Sequence, residues 1–477
     1  MTAVWIGVLP AAIGFLLVRA PGSGAPRFCL HDVFRLILGM GIGIGLCSEC
    51  YFVGLAAGCS GLLLEILLLS AAGIFVTRYR RRAGCCFCEV AALPRGFKLR
   101  TRRLPPLTWM LAGALGLLLL LDLAVFAWVS ARTPRGGWDA WAIWNLRARF
   151  LYRADGVAWR DGFTELLAWS HPDYPLLLPA FIARGWKLLG RESSSIPIAL
   201  GCFFTFGCAG LTTATLGILR GARQGILAGL ALAATPFLYV QGAMQCADVP
   251  LAFFILATLA CLAVADRFHS RGFAALAGAA AALGGWTKNE GLLWFGALLL
   301  ARAIMTPRRP MSSLLAGALP VLAPILFFKA RIATASDVFG AAGRSGMMAR
   351  ALDPARYHLI AREAIRHVLS FGPLLFGGFA ILAVYVAVAG LRRDKRDRYI
   401  IRTGVLALSF ATLGYGAIYL LRPLDLGWLL DTSADRLLLQ LWPGLVFVAF
   451  LACRAPRQSR SSVSMRTARL EESLVRR

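Results

Sequence analysis

LTWMLAGALGLLLLLDLAVFAWVS, residues 107–130, runs directly into ARTPRGGWDAWAIWNLRARFLY, residues 131–152, and the junction between them decides how the chain is read. The first stretch carries one charged residue, Asp122, and as a helix it is long enough to cross a hydrocarbon layer of about 30 Å. The second turns abruptly polar and basic, then sets the carboxylate of Asp139 among Trp138, Trp141 and Trp144. A membrane span therefore delivers an acidic residue to an aromatic, water-facing border.

Working outward, the same apolar pattern recurs along the whole chain. Of 477 residues 58% are hydrophobic and only 16% are charged, which separates the protein from soluble domains. Segments of suitable length lie at 3–18, 36–56, 59–77, 107–130, 197–219, 224–242, 249–266, 272–287, 290–305, 311–330, 369–391, 400–421 and 437–453, giving about 13 spans. The expected fold class is an all-α polytopic membrane protein with a large first periplasmic loop carrying amphipathic juxtamembrane helices. Three parts follow: N-terminal helices and a basic link (1–106), a transmembrane domain (107–453, with its loop at 131–196) and a basic tail (454–477).

A formal net charge of +27 suggests nucleic acid at first sight, but the lysines and arginines gather in short links between spans. RYRRR at 78–82, FKLRTRR at 97–103, RGAR at 220–223, RFHSR at 267–271, PRRP at 307–310, RRDKRDR at 392–398 and the tail fall on one side if the spans alternate. The positive-inside rule makes that side the cytoplasm. The opposite, outer side receives 131–196, the QCADVP turn, the TKNE turn, 331–368 and 422–436. No cleavable signal precedes the first apolar segment, so the N-terminus is expected to be retained.

Twelve cysteines form no disulfide framework, because most sit in spans or cytoplasmic links. Cys85, Cys86 and Cys88 lack the second pair or nearby histidine of a zinc knuckle, and Cys47 and Cys50 are read the same way. No phosphate-cradling loop or dinucleotide fingerprint is present. Glu49, Glu65 and Asp122 are carboxylates inside early spans; each is expected to face another acid, a basic partner or water, or to help helices associate.

Chemistry is therefore sought on the outer side. Trp138, Trp141 and Trp144 recur every third residue and are expected to share one face of an interfacial helix, with Arg147, Arg149 and Arg153 reaching lipid phosphates. Asp139 is not explained by that role, since a carboxylate beside lipid phosphates needs a cation, a metal or a reacting proton. Residues 169–190, WSHPDYPLLLPAFIARGWKLLG, are amphipathic and read as interfacial rather than spanning.

The order of these features resembles the C superfamily of glycosyltransferases, polytopic enzymes that take sugar from a polyprenyl phosphate. The likeness is to the group containing the bacterial aminoarabinose transferase, the rhizobial galacturonosyltransferases and the family 39-like protein O-mannosyltransferases. It runs from about Trp138 to Pro443 in short, dispersed motifs. Asp139 in GGWDAW occupies the place of the family's acidic residue at the start of the first outer loop, although Ala140 and Trp141 stand where a second acid and an aromatic are usual. His171 and Pro172 match a His-Pro element, extended by Asp173 and Tyr174. Asp248 in CADVPLAFF resembles the acid of the next outer turn. Lys288 in GGWTKNEGLL matches a Thr-Lys-Gly-like element, with Asn289 and Glu290 departing from it, and Arg436 in ADRLLLQLWP takes the place of a basic residue near the carrier phosphate.

The resemblance implies an inverting transfer of a hexosyl or pentosyl unit from a polyprenyl-phosphate-linked donor to an envelope acceptor, at the periplasmic face of a bacterial inner membrane. Nucleic acid is not expected as a partner, and membrane lipid is. A divalent metal ion is an open possibility that the changed motif at Asp139 weakens. Asp139 would be the base, with Lys288 and Arg436 on the leaving phosphate and Trp138, His171, Asp173, Asp248 and Glu290 lining the substrate. Plainer roles stand beside these: Asp248 as a helix cap, Glu290 as a partner of Lys288 or Arg331, Lys288 as a snorkelling interface lysine, His171 as an ordinary loop histidine. Two other classes compete, a transporter or lipid flippase carried by the intramembrane acids, and an O-antigen polymerase or ligase.

Overall fold

The computed structural model describes residues 4–18, 30–82, 105–305, 311–334, 343–372, 377–392 and 397–455. Cys85, Cys86, Cys88, the links at 97–103 and 307–310, and nearly all of the tail at 454–477 lie outside the described residues. Within them the chain is built of helices, and the isolated bridge between Leu391 and Cys453 is the only β-type pairing. Seven helices are long and apolar enough to cross a membrane. They are α2 (Leu30–Ala57), α4 (Pro106–Arg132), α7 (Ser195–Arg220), α10 (Asp248–Phe268), α13 (Ser312–Arg331), α17 (Arg398–Leu421) and α18 (Leu426–Ala452). An eighth crossing arises if α8 (Ala222–Ala233) and α9 (Pro236–Ala243), bent by 62°, are counted together.

Several expected spans take a different form. The 224–242 stretch breaks because Pro236 cannot donate to the preceding turn and disfavours helix at the residue before it. The stretch at 369–391, which follows the short helix α14 (Gly343–Ala351), ends one helix, α15 (Pro354–Ser370), and begins another, α16 (Gly378–Ala389), with Gly372 at φ +106 between them. The last span starts at Leu426 rather than 437, because the Asp425 carboxylate accepts the Trp428 amide at 2.7 Å and nucleates the helix early. Other apolar stretches form shorter helices, namely α1 (Val4–Val18), α11 (Arg271–Thr287) and α12 (Asn289–Met305), while α3 (Gly61–Arg82) is apolar to Ile74.

The core is organised around α10. The apolar window that qualifies it as a span is wholly buried within the protein, whereas that of α4 is only 11% buried and presents Leu117, Leu120 and Trp128 outward. Close approach is set by small residues, since lipid offers apolar side chains no reason to prefer protein. In the α2 run GMGIGIG, Gly39 and Gly43 lie against Gly14 and Pro10 of α1, while Gly41 and Gly45 admit the Phe253 ring and the Leu283 side chain. Alternate glycines thus pack one helix against three neighbours, α1, α10 and α11.

The segment 169–190, read from the sequence as interfacial, is largely covered by protein. Its helix α6 (Leu177–Leu189) buries every residue from Leu177 to Trp186, because α2 and the N-terminal helices cover it. Arg184 is 2% exposed and forks onto both oxygens of Glu65. Glu65 therefore has the basic partner its intramembrane position requires.

The links sort to two ends. Arg220 reaches Asp397 at 3.7 Å and the Cys453 carbonyl, and the Arg392 amide donates to Ala452. Arg302 forms a two-point pair with Asp266 at 2.7 Å in each limb, beside the 267–271 link. At the other end Gly137 donates to Met244, Asn145 meets Gln245, Asn289 meets Asp173, and Arg356 donates to the carbonyls closing α17.

Candidate active site

At this second end, four elements far apart in sequence place charged side chains together. Asp139 lies in the first turn of a juxtamembrane helical segment that continues through a π-turn at Ala140–Trp144 into α5 (Asn145–Arg153). Asp248 is the first residue of the central helix. Lys288 sits extended at the break between α11 and α12, with Glu290 in the first turn beyond it. Arg436 is ten residues inside α18, which is helical through the region expected to be an outer link.

The Arg436 guanidinium joins the two aspartates. Its Nε donates to Asp248 Oδ2 at 2.9 Å and its Nη2 donates to the same oxygen at 2.7 Å and to Asp139. The other Asp248 oxygen accepts from Lys288 Nζ at 3.0 Å and from Gln440 Nε2 at 2.6 Å. Lys288 also reaches Glu290 at 2.8 Å, and Tyr415 donates to Gln440 at 2.7 Å. Four donors on one buried carboxylate are what a desolvated charge needs.

This network decides between roles left open by the sequence. Asp248 does not cap its helix, since Ala247 holds the N-cap position and the carboxylate faces Arg436, Lys288 and Gln440. Lys288 does not snorkel outward, being 6% exposed and held between two acids. Glu290 pairs with Lys288. Side-chain exposure separates the layers: Asp248 is fully covered, while Asp139 and Arg436 retain 18% and 22%. The edge open to a ligand is thus the Asp139–Arg436 contact.

A second layer is built on Asp173, whose carboxylate accepts from Asn289 at 2.7 Å while Lys329 bonds the Asn289 carbonyl at 2.6 Å and the Asp173 backbone. His171, in left-handed backbone at φ 49, stacks on Tyr174 at 4.9 Å, and Tyr174 stacks on Trp144 at 5.6 Å. The Lys288 ammonium lies 5.9 Å from the Tyr174 ring centre, so the stack adjoins the charge network without joining it. Burial raises the Tyr174 phenol well above its ordinary range.

The tryptophans do not share a face. Trp138 and Trp141 are exposed and form an edge-on cluster with Trp169, at 6.0 and 6.4 Å, but Trp144 is 1% exposed. The wider π-turn between them shifts the phase of the helix and carries Trp144 inward. The arginines differ from expectation too: Arg147 is buried on Ser170, where desolvation lowers its pKa to about 10, and Arg149 and Arg153 both pair with Glu192.

Gln440, Tyr415 and Lys329 were not singled out from the sequence. Gln440 had a signal, standing one helical turn after Arg436 and so on the same face. Lys329 was hidden among the basic residues that end α13. Comparison with family models, curated proteins and solved structures gives no match.

Proposed function

We propose that the chain is an integral membrane glycosyltransferase that moves a sugar from a polyprenyl-phosphate donor to a lipid, glycan or protein acceptor, with its site on the periplasmic face of a bacterial inner membrane. On this reading the shorter apolar helices also cross or enter the bilayer, giving about 13 spans in the arrangement of the C superfamily. The observation that carries it is the partly open Asp139–Arg436 pair, backed by the buried Asp248–Lys288–Gln440 network.

A donor phosphate competes with Asp139 for the guanidinium, whose planar fork suits phosphate oxygens. As Arg436 turns to the phosphate, Asp139 loses its partner and becomes available to accept a proton. The acceptor oxygen attacks the anomeric carbon, the bond from that carbon to the phosphate oxygen breaks, the hydroxyl proton passes to Asp139, and polyprenyl phosphate leaves on Arg436. A single displacement of this kind inverts the anomeric centre. Asp248 keeps Arg436 and Lys288 in register, and His171, Asp173, Glu290 and the exposed Trp138 border the space where sugar and isoprenoid would lie.

A metal at Asp139 is not needed for this scheme. The group in contact with that carboxylate is already a cation, and Ala140 and Trp141 supply no second anionic donor. A transporter has one feature in its favour, the helix broken at Thr235. Incubating the purified protein with radiolabelled polyprenyl-phosphate sugars and an envelope lipid extract separates the readings: label transferred to an acceptor supports the transferase, and label moved across vesicles without transfer removes it.

A further inference from the structure

On the same end of the bundle, α15 and the first turns of α18 carry a second group of ligating side chains that the transfer scheme does not use. Glu363 and His367 stand one turn apart on α15, and Asp431 and Asp435 one turn apart on α18. Single ligand atoms of Glu363, His367 and Asp431 lie within 4.8 Å of one another. Glu363 and His367 are 7% and 6% exposed, while Asp431 faces outward.

The hydrogen bonds fix the imidazole. His367 Nδ1 lies 2.7 Å from Asp435, a carboxylate that can only accept, so Nδ1 bears the proton. Nε2 lies 3.2 Å from an Arg366 Nη2, which can only donate, so Nε2 presents its lone pair. A carboxylate behind one ring nitrogen, with the lone pair of the other facing a cation, is the arrangement that orients a metal-bound histidine. The point on which the donors converge is held by the Arg366 guanidinium, which meets Glu363 at 2.5 Å and also contacts Asp431. That side chain is 55% exposed on a flexible stem and can leave.

The geometry points to a divalent cation site formed by Glu363, His367 Nε2 and Asp431, oriented by Asp435 and occupied in the metal-free protein by Arg366. One imidazole and two carboxylates suit a borderline or hard transition ion such as Zn²⁺ or Mn²⁺. A bound ion would clamp α15 to α18 at Asp431, five residues before Arg436, and the site does not depend on the transferase reading.

The test is Mn²⁺ binding to the purified, chelator-stripped full chain, followed by loss of the free-ion paramagnetic resonance signal and by the shift in thermal unfolding. The parental protein is expected to take up one equivalent. Arg366→Ala removes the cation that bridges Glu363, His367 and Asp431 and leaves only Arg362 on the other Glu363 oxygen, so it is expected to bind at least tenfold more tightly, whereas His367→Ala and Asp431→Asn lose the site. Asp431 is exposed, so its variant keeps the test decisive if His367→Ala folds poorly. An ion-pair network alone is the conclusion if the parental and Arg366→Ala proteins both bind no stoichiometric Mn²⁺, or if Asp431→Asn binds as the parent does.

Discussion

Asp139 and Asp248 share one guanidinium yet differ in what surrounds them, and that difference assigns their work. Asp248 is wholly covered and satisfied by four donors, so it serves as an anchor; Asp139 has one bond to Arg436 and an open side. Asp139→Asn preserves shape but cannot take up the acceptor proton, so turnover is expected to fall by roughly two to four orders of magnitude while donor binding persists. Single-turnover transfer and filter binding with the same labelled donor would check both halves. Arg436→Lys is expected to lose at least about tenfold in transfer because a point charge replaces the fork that stays on Asp248 while exchanging Asp139 for the phosphate. Donor affinity unchanged in Arg436→Ala would remove Arg436 from that role.

Among the elements, those whose fate depends on apolar length alone were legible in advance: residues 107–130, 197–219 and 400–421 each form one long helix. Others were not, because tertiary cover overrides local amphipathicity. Residues 177–189 have the apolar and basic faces of an interfacial helix, and only the presence of Glu65 on α3 shows that Arg184 belongs inside. The candidate site was legible as a set of residues, since Asp139, Asp248, Lys288, Glu290 and Arg436 do come together. It was not legible as a network, because Gln440 and Tyr415 are polar residues embedded in apolar spans. Arg184→Met leaves Glu65 buried without its partner and is expected to destabilise the protein by about 3–5 kcal/mol, while Glu65→Gln/Arg184→Met recovers much of that loss. Thermal unfolding of the two variants in detergent measures the difference.

At the scale of the whole molecule, the basic links among the described residues, at 220–223, 267–271 and 391–392, lie at the opposite end of the helices from the charged site. If the basic end is cytoplasmic, a cysteine placed at His358 in a cysteine-free background is expected to react with a membrane-impermeant maleimide in intact cells, and one placed at Arg392 only after lysis. The reverse pattern would move the site to the cytoplasm and exclude a periplasmic transfer. The basic residues are spread over many short turns rather than gathered in one patch, and several, including Arg220 and Arg302, are engaged with aspartates.

The π-turn at Ala140–Trp144 has a consequence in the arithmetic of insertion and deletion. A π-turn is an α-helix holding one residue more than its hydrogen bonds need, so the helix can discard that residue and remain a helix. Deleting Ala142 would rewind the segment as plain α-helix, and because the π-turn closes with one residue more than an α-turn, the parts on either side would keep nearly their present facing. With α5 held by Arg147 and the Glu192 pairs, this deletion is expected to leave a folded protein with native helix content by circular dichroism that still transfers sugar. Deleting Ala148 from the regular turns of α5, where no residue is spare, rotates everything before it by about 100° and is expected to abolish transfer as completely as Asp139→Asn. The loss of one codon is thus tolerated beside the carboxylate and silences the site two turns further on.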